Sequence, residues 1–468
     1  MTGAKRAIIV AGALLAVPAG AATITYRNSD VPYLGPRVVI PMTAERQAIM
    51  DATQKEYLRE QAVLKIGKLR EVPDSHSPVD AHNVPNYDEA ASAPYPYTSD
   101  VLRLNDGQQT ASAAQWWKQR RPQIVEAFDR EIFGRVPKVT PKVAWSVTET
   151  KNESIGGIAA VTRRLDGRVD NSGDPAIKVD IDMAVTLSAN AKGRVPVIIQ
   201  LGAINPQPFP GAPPPPPGPD WRAQILAKGW GYVVYDPTTV QADNGAGLTA
   251  GIIGLVNKGQ PRKMDDWGAL RAWAWGASRA VDYVRTDPHV AAGKIGIQGH
   301  SRYGKAAIVA MAYDPRIAIG FISSSGAGGV KLFHHYFGET LENVAAANEF
   351  HWMAGNFLKY AADPLSVKDL PVDMDALAAL CAPRPLFIGA GASSQGDAWV
   401  DARGMWLSAA GASPVYRLLG KTGLGSDKQP PMLTATVSGD IGFRQHDQGH
   451  TPAPNWPAFL SFASRYLD

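Results

Sequence analysis

Gly299-His300-Ser301-Arg302-Tyr303-Gly304-Lys305 is entered from the apolar stretch Lys294-Ile295-Gly296-Ile297-Gln298 and left through the small-residue run Ala306-Ala307-Ile308-Val309-Ala310. A short strand running through a serine into an Ala-rich helix reads as a nucleophile elbow. Gly299 is expected to let the backbone bend, and the helix N-terminus aims its amide groups at the serine. Ser301 is therefore the candidate nucleophile. The usual spacing, Gly-x-Ser-x-Gly, is not met, because Tyr303 stands at the second glycine and Gly304 follows one position later. A serine that merely caps the helix of an ordinary turn is the plainer alternative.

Outward from this turn, strand-like and helix-like runs alternate, the pattern of a sheet covered by helices on both faces. Val195 to Leu201 reads as a buried strand, Trp221 to Lys228 as a helix and Tyr232-Val233-Val234-Tyr235 as the next strand. Trp267 to Arg285 reads as a helix leading to a strand at Ile295 to Gln298. Ile317 to Ile322 and Arg384 to Gly389 are further strands, and Phe459 to Leu467 is the closing helix. The expected class is α/β, a three-layer sandwich with a mostly parallel central sheet. Pro213 to Pro217 favour an extended polyproline segment, read as a stiff surface loop near the mouth of the site rather than an SH3-type ligand.

Further upstream, Trp116, Trp117, Arg120 and Arg121 open a helix that ends near Phe133-Gly134. Thr43 to about Leu69 reads as one helix with Ile49, Met50, Tyr57, Leu58, Val63, Leu64 and Ile66 roughly on one face, followed by a polar, Pro-rich loop. The expected division is a signal peptide at 1–22, an N-terminal extension at 23–93 and a catalytic domain at 94–468. The leader is read from Lys5 and Arg6, the apolar run Ala7 to Val17 and the small residues up to Ala22. Such a run is too short for a span that needs ~20 apolar residues, so no membrane anchor is expected and the mature protein is placed in the periplasm or outside the cell.

With 468 residues, 45% of them apolar and 19% charged, the chain can bury a large core. The net charge of +4 is spread along the chain without a Lys/Arg block, which argues against a nucleic-acid partner. The single cysteine, Cys381, sits in an apolar segment, so no internal disulfide is possible and the thiol reads as packing.

The elbow resembles the signature of the glucuronoyl esterases, carbohydrate esterase family 15, which are serine hydrolases of the α/β-hydrolase fold. The resemblance runs from Pro94 to Asp468 through separated stretches: Trp267-Gly268, Ala272-Trp273-Ala274-Trp275-Gly276, Ser278-Arg279-Ala280, Asp282-Tyr283, Arg316-Ile317-Ala318, Gly338-Glu339-Thr340 and Ala382-Pro383-Arg384-Pro385-Leu386. Residues 23 to 93 lie outside it. His334-His335 stand where arginines are often seen ahead of Gly338-Glu339, a departure that bears on substrate preference. Adjacent histidines rarely converge on one ion and no flanking carboxylate or cysteine completes a zinc set, so no metal and no cofactor is assigned.

A serine hydroxyl needs a histidine to take its proton and a carboxylate to fix that histidine's tautomer. In this fold they follow in the order serine, acid, histidine. His450, in Gly449-His450-Thr451 ahead of Asn455-Trp456, resembles the family's histidine motif, and His446 is the alternative. Many family members carry a glutamate before a Ser-Gly-x-Gly-Gly segment, where this chain has Ser324. Others resemble this chain in supplying an aspartate after the next strand, and Gly396-Asp397-Ala398-Trp399-Val400-Asp401 matches that motif. Asp397 is thus the expected acid, with Asp401 second and Asp447 a solvated loop charge. The resemblance implies that Arg302 helps hold the oxyanion, a purpose that would explain a cation on the unfavourable first turn of a helix. Lys305, one helical turn past Ser301, would reach sugar hydroxyls, and the resemblance places Glu339 and Trp399 around the glucuronate ring.

The expectation is a monomeric esterase acting on glucuronoxylan or lignin–carbohydrate esters through an acyl-serine. The alternatives are an esterase for another carbohydrate ester, such as acetyl xylan, and a catalytically weak carbohydrate-binding homologue.

Overall fold

The computed structural model describes residues 23–25, 36–38, 42–73, 83–95, 97–205 and 220–468. The expected leader at 1–22 and the prolines 213–217 lie outside them. Ahead of the main sheet, Thr23–Thr25 pairs antiparallel with Pro36–Val38, and helix α1 spans Ala44–Val63.

Ten strands form the central sheet: β1 (Val143–Ile155), β2 (Ile158–Val169), β3 (Asp180–Ser188), β4 (Val195–Leu201), β5 (Gly231–Tyr235), β6 (Val290–His300), β7 (Ile319–Ser323), β8 (Leu386–Ala390), β9 (Ala435–Thr436) and β10 (Ile441–Gln445). Their order across the sheet is β9-β10-β8-β7-β6-β4-β5-β3-β2-β1. The six strands from β10 to β5 run parallel, while β1 to β3 and β9 extend the sheet antiparallel. The parallel strands are near-continuous apolar runs because both faces are covered: all five residues of β7 and of β8 are buried. Helices α2 (Ala269–Val284), α3 (Arg302–Tyr313), α4 (Ala402–Leu418) and α5 (Trp456–Leu467) supply that cover. The α/β-hydrolase architecture expected from the sequence is the observed one. Among the described residues, no helix is long and apolar enough to cross a membrane.

Helix boundaries moved inward where the caps dictate. Gly268 caps α2, two residues into the expected span, and α1 stops at Val63 because Lys65 turns left-handed at φ 58°. The apolar face expected on α1 docks only in part, with Tyr57, Leu64 and Ile66 packed against the core. Leu58 and Val63 are 54% and 53% exposed, and the one fully buried residue of the helix is Glu60. Glu60 forms a fully buried ion pair with Arg262, Nε to Oε1 at 2.7 Å, and Arg262 also donates to the carbonyl of Met353 at 2.5 Å. The Tyr57 hydroxyl donates to the Ala345 carbonyl at 2.9 Å. The helix lies against loops that present carbonyls and a guanidinium, so polar side chains join the apolar ones in docking it. After α1 the chain wraps the catalytic part: the Gly338 amide donates to the Asn86 carbonyl at 2.9 Å and the Tyr336 amide to the Ser92 carbonyl at 2.6 Å.

Candidate active site

Strand β6 delivers Ser301 to the N-terminus of α3 at φ 58° and ψ −132°. A non-glycine residue in this region carries strain of order 1–3 kcal/mol, which the surroundings must impose. The Ser301 amide donates to the Ser323 carbonyl at 2.9 Å, and the Ser301 carbonyl accepts from Lys305 N at 3.1 Å. The sharp bend is therefore at Ser301 itself and not at Gly299, as expected. Gly299 is required for close approach, since a Cβ there would lie 2.0 Å from the Tyr303 carbonyl oxygen. Gly304 does the work of the displaced second glycine: a Cβ would come within 2.9 Å of the Ser323 carbonyl where α3 crosses β7. Tyr303 points its ring edge-on at Trp273, 5.7 Å between centroids.

Asp397 follows β8 and His450 follows β10, so both reach the carboxyl ends of the parallel strands where Ser301 stands. His450 Nδ1 and Asp397 Oδ1 are 2.6 Å apart. Asp397 is 1% exposed, and its second oxygen accepts from the Gly391 amide at 2.6 Å and from the Ser324 hydroxyl at 2.8 Å. The residue at the usual glutamate position thus donates to the aspartate. Asp401 is committed elsewhere: Oδ2 meets His335 Nδ1 at 2.6 Å and Oδ1 caps α4 by accepting from the Gly404 amide at 2.8 Å. His446 is buried, with Nε2 at 2.8 Å from the Thr451 carbonyl and Nδ1 accepting from the Gln448 amide, so it braces the loop carrying His450. Asp447 is exposed.

On the other side of Ser301 lie the cations. Lys305 is 1% exposed; its Nζ meets Glu339 Oε2 at 2.9 Å and Oε1 at 3.1 Å and donates to the Ala327 carbonyl at 2.5 Å. Arg302 is paired through Nη1 with Asp243. The Trp352 ring stands between the two, 5.7 Å from Arg302 Cζ and 5.5 Å from Lys305 Nζ. Trp399 is half-buried against the core, yet its ring comes to 5.3 Å from that of His450, and its carbonyl accepts from the Glu339 amide at 2.8 Å. His334 and His335 do not converge on one point: His334 faces Asp373 at 2.8 Å, whereas His335 bridges Asp401 and Glu89.

Two neighbours, His300 and Asp243, went unread in the sequence, and Ser324 was read only as the place of a missing acid. His300, inside the elbow motif, lies 4.3 Å ring to ring from His450, and burial depresses its basicity well below the ordinary imidazole range, keeping it neutral. The Ser324 hydroxyl serves Asp397, and Asp243 serves Arg302. Asp243 follows β5 at the carboxyl edge of the sheet, a position that marks ligand sites in open α/β folds and was the available signal.

What this sheet and its elbow define is a carboxylic ester hydrolase of the α/β-hydrolase class. A family model described as "Glucuronyl esterase, fungi" matches residues 172–420, more than half of the chain. Carbohydrate esterase MZ0003, from an unknown prokaryotic organism, is 31% identical over 82% of this chain and 92% of its own. A 4-O-methyl-glucuronoyl methylesterase of Hypocrea jecorina is 39% identical over a shorter stretch, 26% of this chain and 27% of its own. Among solved structures, a glucuronoyl esterase of carbohydrate esterase family 15 from Teredinibacter turnerae T7901 superposes with a TM-score of 0.81 at 40% identity, covering 89% of this chain and all of that one. The chain belongs to the glucuronoyl esterases, carbohydrate esterase family 15.

Proposed function

We propose that the enzyme hydrolyses the ester between a 4-O-methyl-glucuronate side chain of xylan and an alcohol, in nature a lignin alcohol. Ser301 Oγ attacks the ester carbonyl carbon while His450 Nε2 takes the Oγ proton; Asp397, ionised, holds Nδ1–H and steadies the imidazolium. Arg302 and backbone amides at the start of α3 stabilise the oxyanion. Collapse breaks the bond to the alkoxy group, which leaves with the proton from His450. Water, deprotonated by the same nitrogen, then cleaves the acyl-serine to free glucuronate. Lys305 and Glu339 take the ring hydroxyls and Trp399 offers an apolar face to the sugar. The observation that carries this reading is the 2.6 Å His450–Asp397 contact beside a strained Ser301, with the buried Lys305–Glu339 pair one helical turn away.

The sequence supports action beyond the inner membrane, through its charged and then apolar opening. The test is hydrolysis of benzyl glucuronate against an acetylated xylo-oligosaccharide, with Ser301→Ala as the blank. Turnover of the glucuronate ester alone, lost in the variant, is expected; acetate release alone would move the assignment to a deacetylase.

A further inference from the structure

A guanidinium on the first turn of a helix faces two penalties. The helix dipole repels it, and a residue only 7% exposed, as Arg302 is, has lost most of its hydration. Arg302 nevertheless sits there, paired with a carboxylate. Asp243, in the loop after β5, pairs with Arg302 Nη1 through Oδ2. Its other oxygen accepts from the indole Nε1–H of Trp352 at 2.6 Å and lies 2.9 Å from His351 Nε2. Trp352 and His351 are 3% and 0% exposed.

These contacts bear directly on the protonation states. Burial on its own would raise the Asp243 carboxyl, but Arg302, His351 and Trp352 outweigh it and hold it below the ordinary carboxylate range. Burial lowers the basicity of His351, whose Nδ1 has no protein partner, so the ring is neutral and donates from Nε2. The carboxylate is therefore held in its charged form and anchored from two sides, and the ring of Trp352 lies 5.7 Å from Arg302 Cζ.

A carboxylate beside an oxyanion-binding arginine cancels part of that arginine's field. Its contribution must then be geometric. Five N–H donors in a rigid plane stabilise a developing charge only if the plane is aimed before the reaction, and a displacement of about 1 Å is enough to cost on the order of a hundredfold.

We infer that Asp243, clamped by His351 and Trp352, is the positioning residue that aims Arg302 at the ester oxyanion. The inference rests on the oxyanion role proposed above for Arg302, and the experiment separates the two. Arg302→Ala, Asp243→Asn and the double variant are assayed on benzyl glucuronate, with thermal unfolding to establish that each is folded. Asp243→Asn is expected to lower kcat about 10- to 100-fold with KM within about twofold. In the Arg302→Ala background, the same change is expected to alter kcat by less than about twofold, because nothing remains to be aimed. A merely structural Asp243 would instead lower the double variant further, and that result, or an unchanged kcat in Asp243→Asn, overturns the inference. Full activity in Arg302→Ala overturns the oxyanion reading itself.

Should Asp243→Asn not fold, Trp352→Phe reads the same coupling. It removes one anchor of Asp243 while keeping an aromatic ring, and kcat is expected to fall about three- to tenfold, the loss of one hydrogen bond to a charged group. That fall should vanish in the Arg302→Ala background, and its persistence there would overturn the inference.

Discussion

The two sides of Ser301 are built on different electrostatic plans. On the histidine side, the imidazole of His450 meets one carboxylate, Asp397, and the rings of a neutral His300 and of Trp399, while a serine hydroxyl and a backbone amide donate to Asp397. On the other side, Arg302 and Lys305 share a buried region with the carboxyls of Asp243, Glu339 and Glu349. The difference follows from the tasks. A group that must gain and lose a proton each cycle needs surroundings that tip it little, whereas a group that only holds charge is better locked in a pair.

The largest expected effect breaks the histidine side. Asp397→Asn removes the charge that holds the imidazolium, and kcat should fall about 10³- to 10⁴-fold in a benzyl glucuronate assay. Asp401→Asn should leave turnover within a few-fold and lower the melting temperature, because Asp401 caps α4 and holds His335. Full turnover in Asp397→Asn with loss in Asp401→Asn would reverse the assignment.

The cation side should fail differently, through stability as much as rate. Lys305→Met strands Glu339 as a buried unpaired carboxylate, and chemical denaturation should read a loss of about 3–5 kcal/mol together with a raised KM. A rise in KM without loss of stability would mean that the pair is not what keeps Glu339 buried. A finer probe returns to the first side. Ser324→Ala deletes one hydrogen bond to the Asp397 carboxylate and should lower kcat about 10-fold, visible in single-turnover acylation.

The smallest effect comes from Glu349. Burial, then the charge of Glu339, raises the Glu349 carboxyl well above the ordinary glutamate range, and one of its oxygens has no protein partner. For an acid whose folded pKa is raised, the folded state binds the extra proton. That contribution to stability is present below the ordinary glutamate pKa and fades as pH rises towards the folded value. Glu349→Gln, which cannot ionise, should therefore match the parent near pH 4.5 and exceed it by about 1 kcal/mol or more near pH 9 in urea unfolding. A constant difference across that range would show that Glu349 does not titrate with folding.

How much of this was legible in the sequence divides along the same line. The histidine side could be read because Ser301, Asp397 and His450 each sit in a local motif just past a strand, and parallel strands carry such positions to one edge. The cation side was read only where a residue sat in such a motif, as Arg302, Lys305 and Glu339 do. Asp243 and Trp352 meet because the loop after β5 and the segment after Glu339 fold to the same place, which no spacing in the chain encodes. The polar docking of helix α1 was not legible for a related reason. Of the seven residues placed roughly on one face, Tyr57, Leu64 and Ile66 pack against the core while Leu58 and Val63 stay exposed, and Glu60 and Thr53 add polar contacts to Arg262 and to the Ala246 amide. The elbow's bend moved from Gly299 to Ser301 because strain at the nucleophile is imposed by backbone bonds to β7, not by local glycine freedom.

The fully buried Glu60–Arg262 pair has a bearing on ancestry. A front segment joined by an apolar patch could be lost, gained or traded between enzymes, since the exposed patch would need only a few polar substitutions. A segment that contributes half of a charge pair inside its neighbour cannot. Starting the chain at Pro94 would leave Arg262 dry and unneutralised next to the Met353 carbonyl, one residue from Trp352. Extension and catalytic part are expected to have been inherited together, with any change at position 60 answered by a change at position 262.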